Sequence, residues 1–201
     1  EHPGALNGGR LSTAGNLVFQ GTSDGRFSAY AADSGNRLWE LTVNIGIVAP
    51  PVTYSLGGEQ YLAVLAGWGG GAVVGFDAGI SAASHYENLG RLFVFRLGAD
   101  APIPPVPPQA QAFLPPTLGA ELTETERRGQ ELFHDVCAVC HGLLAVSSGT
   151  TPDLRQLDET AHRRFDAVVR GGILRNQGMP GFSDILSEGD AAAIQVYLQR
   201  R

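Results

Sequence analysis

The stretch Cys137-Ala-Val-Cys140-His141 decides how the C-terminal part of the chain folds. Two thiols at this spacing, placed at the end of a helix, can add to the two vinyl groups of one haem. The adjacent imidazole then lies beside the iron. The motif therefore predicts a covalent c-type haem, with thioethers to Cys137 and Cys140 and with His141 as an axial ligand. A thioredoxin-like redox pair lacks its βαβ context here, and a structural zinc site lacks a second pair of ligands.

The other axial ligand should be a soft donor on a later loop. Met179 is the only methionine, and it lies in Gly-Met-Pro-Gly-Phe, residues 178–182. A methionine is ordinarily core filler, but this glycine- and proline-rich loop is a poor core site, so we predict that the Met179 thioether binds the iron. Such a ligand raises the haem potential, which suits an electron acceptor, and leaves no open position for substrate. His134 is expected to face solvent, and it and His162 are the next candidates for this ligand.

The sequence after residue 118 has helical periodicity. A capping box at residues 123–126 begins a first helix. A second helix is predicted from about residue 159 to residue 170, where Gly171 and Gly172 end it, and a third begins at Ser187. Together with the haem, four apolar or aromatic residues should form the core of this part: Phe133, Phe165, Ile194 and Tyr197.

The sequence before residue 101 indicates short strands joined by tight turns. Asp24-Gly25 separates two β-prone runs and predicts a hairpin whose two central residues have positive φ, and Gly57-Gly58 predicts another. The predicted strands are residues 16–22, 26–30, 37–43, 52–55, 60–66 and 91–96. Four-stranded units of this kind build β-propellers at roughly 40–50 residues per blade, so about 100 residues supply two blades at most. This part cannot close a propeller ring by itself.

A proline-rich segment separates the two parts. Seven of the 12 prolines lie between residues 101 and 120, and residues 101–118 carry no charged side chain. Such a stretch favours extended polyproline backbone and acts as a semi-rigid connector. We therefore divide the chain into an all-β segment of residues 1–100, a linker of residues 101–118 and an all-α domain of residues 119–201.

Composition excludes several other classes of function. The chain has 201 residues and a net charge of −6, and its 14 basic residues are all arginine, which disfavours a nucleic-acid surface. No apolar run approaches the ~20 residues of a transmembrane helix. Two cysteines are too few for a disulfide framework. Because the only methionine is internal, we expect the chain to be a processed product or a fragment.

Residues 119–201 resemble a class I cytochrome c. In that family a glycine and an aromatic residue of the first helix pack against an aromatic residue of the last, and Gly129, Phe133 and Tyr197 stand at the matching positions. The family also has a proline after the haem motif whose carbonyl accepts a hydrogen bond from the proximal histidine. Pro152 matches it, and this bond would orient His141 and strengthen it as a donor. A simple turn proline is the other interpretation.

Residues 1–100 resemble the closing blades of quinoprotein dehydrogenases, eight-bladed propellers that carry pyrroloquinoline quinone (PQQ). Residues 29–39, Ala-Tyr-Ala-Ala-Asp-Ser-Gly-Asn-Arg-Leu-Trp, follow their tryptophan-docking motif, with Ala31 replacing the usual Asp and Ser34 the usual Thr. Residues 61–71 resemble the end of the propeller in type II quinohaemoprotein alcohol dehydrogenases, which continue through a proline-bearing linker into a cytochrome c. In that family this turn lies near the quinone cavity. Gly67 and Trp68 are therefore candidates for the cavity wall, or else for blade packing.

The resemblance implies that this chain is the C-terminal part of such a dehydrogenase. In the family, PQQ oxidises a small alcohol to the aldehyde, and electrons pass singly to haem c and then to a soluble cytochrome, a cupredoxin or the quinone pool. The catalytic Asp, the calcium ligands and most PQQ contacts belong to the missing upstream blades, so this chain should carry electrons without oxidising alcohols. The family chemistry implies the bacterial periplasm. The alternatives are a free-standing cytochrome c with a β docking segment and a haem-free scaffold fragment.

Overall fold

The computed structural model describes residues 7–67, 79–110, 114–116, 119, 121–147 and 151–200. In this part of the chain the strands come first: β1 Asn7–Ser12, β2 Leu17–Thr22, β3 Arg26–Ala31, β4 Arg37–Thr42, β5 Val52–Leu56, β6 Glu59–Ala66 and β7 Arg91–Arg96. The α-helices follow: α1 Glu124–Leu132, α2 Ala138–His141, α3 Glu159–Arg163, α4 Phe165–Val169 and α5 Glu188–Gln199. The predicted order, strands and then helices, is confirmed. None of the described helices is long and apolar enough to cross a membrane.

The strands form two antiparallel sheets. The first has the order β1-β2-β3-β4 and the second β5-β6-β7. All predicted strands are present, and β1 is an additional strand that the sequence pattern did not reveal. Two glycines weaken its β signal, and one of them is needed for packing, because a Cβ on Gly8 would lie 2.9 Å from the carbonyl oxygen of Ala49.

The two predicted hairpins differ in their turns. Gly57 and Gly58 join β5 to β6, and both have positive φ, 62° and 84°, as a two-residue turn requires. Between β2 and β3 only Gly25 has a positive φ, 84°, so the expectation of two such residues at Asp24-Gly25 is wrong. The loop is one residue longer, and the Asp24 carboxylate closes it by accepting hydrogen bonds from Thr22 Oγ1 and Arg26 Nε at 2.5 and 2.8 Å.

An apolar cluster, here called the β core, joins the two sheets. Its buried members are Phe27, Val43, Ile45, Ile47, Val64, Ala66, Phe93 and Val106. Trp39, the last residue of the docking motif, places its ring edge-on to Phe27 of the first sheet and to Phe95 of the second, with centroid distances of 6.0 and 5.8 Å. Each such aromatic pair contributes about 0.5–1.5 kcal/mol beyond its buried area. The motif therefore ties one sheet to the next.

The first part of the linker lies on the β segment. Val106 is buried in the β core and Ile103 packs against it. The predicted connector is therefore packed against the β segment at residues 103 and 106. The division of the chain at residues 100 and 118 stays a prediction. The contact of Ile103 and Val106 with the β core crosses the boundary at residue 100.

Both long helices begin at capping boxes. Thr123 Oγ1 accepts a hydrogen bond from the Glu126 N–H, and Glu126 Oε2 accepts one from the Thr123 N–H, at 3.3 and 2.7 Å. Ser187 and Asp190 cap α5 in the same way. An N-cap of this kind stabilises a helix by about 1 kcal/mol. The predicted second helix is broken into α3 and α4 at Arg164, whose φ and ψ of −99° and 3° lie outside the helical region.

The first and last helices cross at Gly129. A Cβ on Gly129 would lie 2.0 Å from the carbonyl oxygen of Ala193, so only glycine permits this approach. The rings of Phe133 and Tyr197 meet beside the crossing with a centroid distance of 5.7 Å, as predicted. The buried residues here, called the helical core, are Leu132, Phe133, Cys137, Ala138, Ala145, Phe165, Val169, Leu186, Ile194, Tyr197 and Leu198. This set contains all four residues predicted from the sequence.

Candidate haem-attachment site

A π-helical turn, Phe133–Cys137, leads from α1 into the Cys-x-x-Cys-His motif. The Ala138 N–H donates to the Phe133 carbonyl five residues back, where an α-helix would use the carbonyl four residues back. The wider turn adds one residue without ending the helix. Its two ends, Phe133 and Cys137, are both buried. The turn thus directs the first cysteine of the motif into the helical core.

The two cysteines lie in different environments. Cys137 is buried and Cys140 is exposed, and no disulfide joins them. Burial, together with the nearby charge of Cys140, raises the pKa of Cys137 to about 11. A dithiol redox pair depends on a lowered thiol pKa. The environment of Cys137 therefore disfavours the redox-pair interpretation.

The imidazole of His141 is buried, with 8% of the residue exposed. Burial lowers its pKa, and the backbone carbonyl of Pro152 acts in the opposite direction by favouring the charged ring. The ring is therefore neutral at pH 7, which is the form that binds a metal. Nδ1 is buried and has no partner with hydrogen-bond geometry in the described part of the chain. The Pro152 carbonyl is close enough to act on the charge of the ring, and the predicted hydrogen bond between the two stays a prediction.

Met179 lies on a loop that two glycines hold together. Gly172 and Gly181 approach so closely that a Cβ on Gly172 would lie 2.8 Å from the Gly181 nitrogen. Met179 is half-buried and packs against the helical core that also contains Cys137. The structure thus brings the methionine and the first cysteine, which are far apart in sequence, to one apolar cluster. That arrangement fits a haem lying between them.

The prediction that His134 faces solvent is wrong. Its ring is half-buried, with Nδ1 2.7 Å from the Gln130 carbonyl oxygen and Nε2 accepting the Leu144 N–H at 3.2 Å. With both nitrogens engaged, the ring has no lone pair for iron. Leu144 has a positive φ of 56°, so His134 holds α1 to a strained turn just after the motif. This contact joins residues ten apart in sequence, and no local pattern signals it.

Gly67 lies at a close backbone approach inside the β segment. Its φ is 138°, its N–H donates to the Gly46 carbonyl at 2.8 Å, and a Cβ there would lie 3.3 Å from the Gly90 Cα. These contacts give Gly67 a role in packing, and its place in a quinone cavity stays a prediction. Trp68 lies outside the described residues.

The motif has no neighbouring group of further metal donors in the described part of the chain. Within residues 7–67, 79–110, 121–147 and 151–200, no three His, Cys, Asp or Glu side chains are grouped so that they could hold an ion. The two thiols of the motif therefore have no further donors of the kind that a structural zinc site requires. Haem attachment is the chemistry that this arrangement fits.

The fold and the site together define a class of protein: propeller blades with a tryptophan-docking motif, joined to a c-type cytochrome. Residues 3–62 match the family model described as the glucose/ethanol/alcohol dehydrogenase beta-propeller domain. Residues 124–198 match the model described as cytochrome c oxidase, cbb3-type, subunit III. The first matched stretch contains β1 to β5 and the beginning of β6, and the second contains α1 to α4 and nearly all of α5.

Relatives with both parts match the chain. The chain is 40% identical over 201 residues to quinohemoprotein alcohol dehydrogenase ADH IIB of Pseudomonas putida and covers 29% of it. The solved structure of ADHIIG from Pseudomonas putida matches with a TM-score of 0.71 at 35% identity, over 96% of this chain and 28% of that one. The enzyme from Comamonas testosteroni matches with a TM-score of 0.67 at 30% identity, over 97% and 28%. The chain aligns over essentially its whole length with a C-terminal part of quinohaemoprotein alcohol dehydrogenases, and it spans less than a third of their length.

These relatives confirm the predicted cofactors at the level of the parent enzyme. Haem c belongs to the cytochrome domain and PQQ to the parent enzyme. The residues that hold them in this chain are inferred from the geometry described above.

Proposed function

We propose that this chain is the electron-transfer part of an enzyme that oxidises small alcohols to aldehydes with PQQ. Cys137 and Cys140 would hold haem c through thioethers, and His141 and Met179 would bind its iron. When bound, the haem would supply a one-electron couple. The upstream propeller blades supply the alcohol site, the calcium ligands and most contacts to PQQ.

One observation carries this proposal. Cys137 belongs to the helical core and Met179 packs against it, while His141 of the motif is buried and has a lowered pKa. A thioether and a neutral imidazole are the iron ligands of a low-spin haem c, and the cysteine thiol is the group that attaches its porphyrin. A hydrogen bond from the His141 ring to the Pro152 carbonyl, which belongs to this proposal, would strengthen the imidazole as a donor to a metal.

The comparisons do not favour a free-standing cytochrome c with a β docking segment. Relatives with both parts align over the whole chain, strands and helices alike. An isolated cytochrome would also have no use for the exposed apolar residues of the second sheet, such as Val52 and Leu92, which are 54% and 61% exposed. These residues suit a segment that packs against further blades.

The acceptor and the compartment complete the proposal. A soluble cytochrome, a cupredoxin or the quinone pool would take the electrons from the haem. Thioether attachment of haem takes place outside the cytoplasmic membrane of bacteria, so the periplasm is the proposed location. The bacterial origin of the relatives supports it.

A pigment extraction tests the attachment. The chain is expressed in a bacterium that matures c-type cytochromes and is then treated with acid–acetone. The colour should stay with the protein, because the two thioethers are covalent, and should pass into the organic phase when both Cys137→Ala and Cys140→Ala are present. Colour that leaves the unmodified chain would show that the haem is not attached here.

A turnover assay tests the division of labour. With PQQ and Ca²⁺ added, the 201-residue chain should give no alcohol-dependent dye reduction, whereas a longer form with the upstream blades should reduce its own haem when alcohol is added. Turnover by the 201-residue chain alone would place the catalytic residues within it and overturn this division.

A further inference from the structure

Arg155 is a buried arginine to which the proposed function gives no role. It follows Pro152 closely, and its side chain is only 2% exposed. Nε and Nη2 form a two-pronged ion pair with the Asp153 carboxylate at 2.9 and 2.5 Å. A guanidinium this deep must have its other N–H groups paired as well. Nη1 points away from the carboxylate and donates to the carbonyls of Leu114 and Pro115, at 2.6 and 3.4 Å.

Leu114 and Pro115 belong to the linker, so Arg155 ties the linker to the haem-bearing unit. At its other end the linker is held by a second arginine, since Arg91 of β7 donates to the carbonyls of Pro104 and Pro105 at 2.6 and 2.9 Å. In each case one guanidinium holds two successive backbone carbonyls. The linker is thus fixed to both units by arginine side chains. The side chain of Arg155 is the more deeply buried of the two described here.

The number of residues between successive attachments of the linker shows what Arg155 contributes. Gln109 is still bound to the β segment, because its N–H donates to the His85 carbonyl at 2.9 Å and its side-chain amide to the Ala83 carbonyl at 3.0 Å. From Gln109 to Leu114 is five residues, which reach at most about 18 Å. Without the Arg155 contact, the next described attachment to the helical unit is Glu121, whose carbonyl accepts from Arg200. That is twelve residues from Gln109 and a reach of about 43 Å.

We propose that Arg155 is a positioning residue that fixes the linker on the haem-bearing unit and so restricts its distance from the propeller. The consequence for electron transfer rests on the proposed function, because the rate of transfer between two cofactors falls steeply as their separation grows. The mechanical part of the proposal is independent of the haem, since it concerns only how the linker is held.

Two substitutions separate the linker contact from the ion pair. Arg155→Lys keeps a positive charge beside Asp153, but a single ammonium cannot hold a carboxylate in two-pronged fashion and also reach two carbonyls. Arg155→Leu removes both interactions. Arg163→Leu is the matched control, because Arg163 is an exposed arginine of the same unit that pairs only with the exposed Glu159 and with Thr160.

Limited proteolysis of the 201-residue chain with an unspecific protease, with cuts mapped by mass spectrometry, is the test. Both Arg155 variants should be cut between residues 106 and 121 about tenfold faster than the unmodified chain, the increase expected when hydrogen bonds to a charged group are lost. Arg163→Leu should be cut at the unmodified rate. If Arg155→Leu is cut throughout the chain because it fails to fold, the linker cleavage of Arg155→Lys is the measurement that tests the proposal. Linker cleavage unchanged in Arg155→Lys, or accelerated equally by Arg163→Leu, would overturn the proposal.

The second readout uses the longer enzyme. There, Arg155→Lys should slow the reduction of the haem by alcohol while leaving dye reduction at the quinone unchanged, and Arg163→Leu should alter neither. Unslowed haem reduction would contradict the effect on electron transfer. If the unmodified protein carries no attached haem, the proposed function fails, and the proteolysis still decides the role of Arg155.

Discussion

The β segment and the helical unit bury their apolar side chains to different degrees. In the helical unit Phe133 and Tyr197 are fully buried in a core that contains residues from the first helix to the last. In the β segment the outer face of the β5–β7 sheet leaves Val52, Leu65 and Leu92 exposed at 54%, 59% and 61%. Leu65 and Leu92 lie opposite each other in the register of β6 and β7, so they form one continuous apolar surface. Such a surface is typical of an interface.

This difference shows that one chain can contain a complete unit and an incomplete one. The helical unit has one apolar core to which its first and last helices both contribute. The β segment has two sheets whose outer edges find no partner strand in the described part of the chain. Open edges and an open apolar face are the features that a closed propeller removes. We therefore expect the β segment to depend on further blades for its stability.

The largest expected effect is on isolated fragments. Residues 1–110, which include the linker residues that complete the β core, should aggregate or remain unfolded when expressed alone, because the open edges and the apolar face stay uncovered. Residues 119–201 should fold once haem is attached. Circular dichroism and gel filtration of the two fragments measure the outcome, and a monomeric, cooperatively folding 1–110 would remove the contrast between the two parts.

The crossing of α1 and α5 should tolerate no added carbon at its centre. Gly129→Ala places a Cβ against the Ala193 carbonyl, and overpacking of this kind costs about 3 kcal/mol. Gly189→Ala is the control within α5, since its Cβ would meet only Ser187 Oγ, at 3.8 Å, and alanine should stabilise the helix by about 0.5–1 kcal/mol. Urea unfolding of residues 119–201 with haem measures both. Equal stability of the two variants would contradict the close helix approach.

The exposed face of the β5–β7 sheet gives a smaller effect that depends on context. Leu65→Lys should change the stability of the 201-residue chain by no more than about 0.5 kcal/mol, because the side chain is already largely in water. In the longer enzyme the same change should prevent assembly, since the charge would be buried against a neighbouring blade. Leu97→Lys, at a 99% exposed position, should be neutral in both. Thermal unfolding of both variants in both forms distinguishes a covered face from a free one.

The smallest effect is on the acid stability of the helical unit. Hydrogen bonding from the Thr123 N–H, and then the Arg200 guanidinium, hold the pKa of Glu126 below its ordinary value of 4.5. The unfolded chain therefore binds the proton more tightly, so this stabilisation is complete above pH 4.5 and is lost as the pH falls through the folded pKa. Urea unfolding between pH 6 and pH 3 should show a shallower decline for Glu126→Gln than for the unmodified unit. Identical declines would mean that this carboxylate contributes nothing to acid stability.

Short-range patterns predicted much of the fold. The spacing of Cys137, Cys140 and His141 is a local property of the sequence, and so are the capping boxes and the Gly57-Gly58 turn. Each depends on residues no more than four apart, whose geometry the backbone itself determines. The assignment of Met179 as an iron ligand stays a prediction, and it rests on composition, because Met179 is the only methionine of the chain.

What the sequence did not predict depends on contacts between distant residues. The hydrogen bond of His134 joins it to Leu144, ten residues later. The hydrogen bond of Arg155 joins it to Leu114, which lies 41 residues earlier in the linker. The apolar spacing also does not predict the break between α3 and α4 at Arg164, because that spacing continues across it. The register of β1 depends on Gly8 packing beneath Ala49, and a glycine weakens the very pattern that would reveal the strand.

The central claim, that Met179 completes a haem c site begun by Cys137, Cys140 and His141, is tested most directly by the ferric absorption spectrum and the reduction potential of Met179→Ala. A thioether ligand gives a sulfur-to-iron charge-transfer band at the red end of the spectrum and raises the potential. We expect the variant to lose the band and to have a lower potential, while Gln177→Ala, at an exposed position of the same loop, keeps both. A Met179→Ala protein with the band and the potential of the unmodified chain would show that another group ligates the iron.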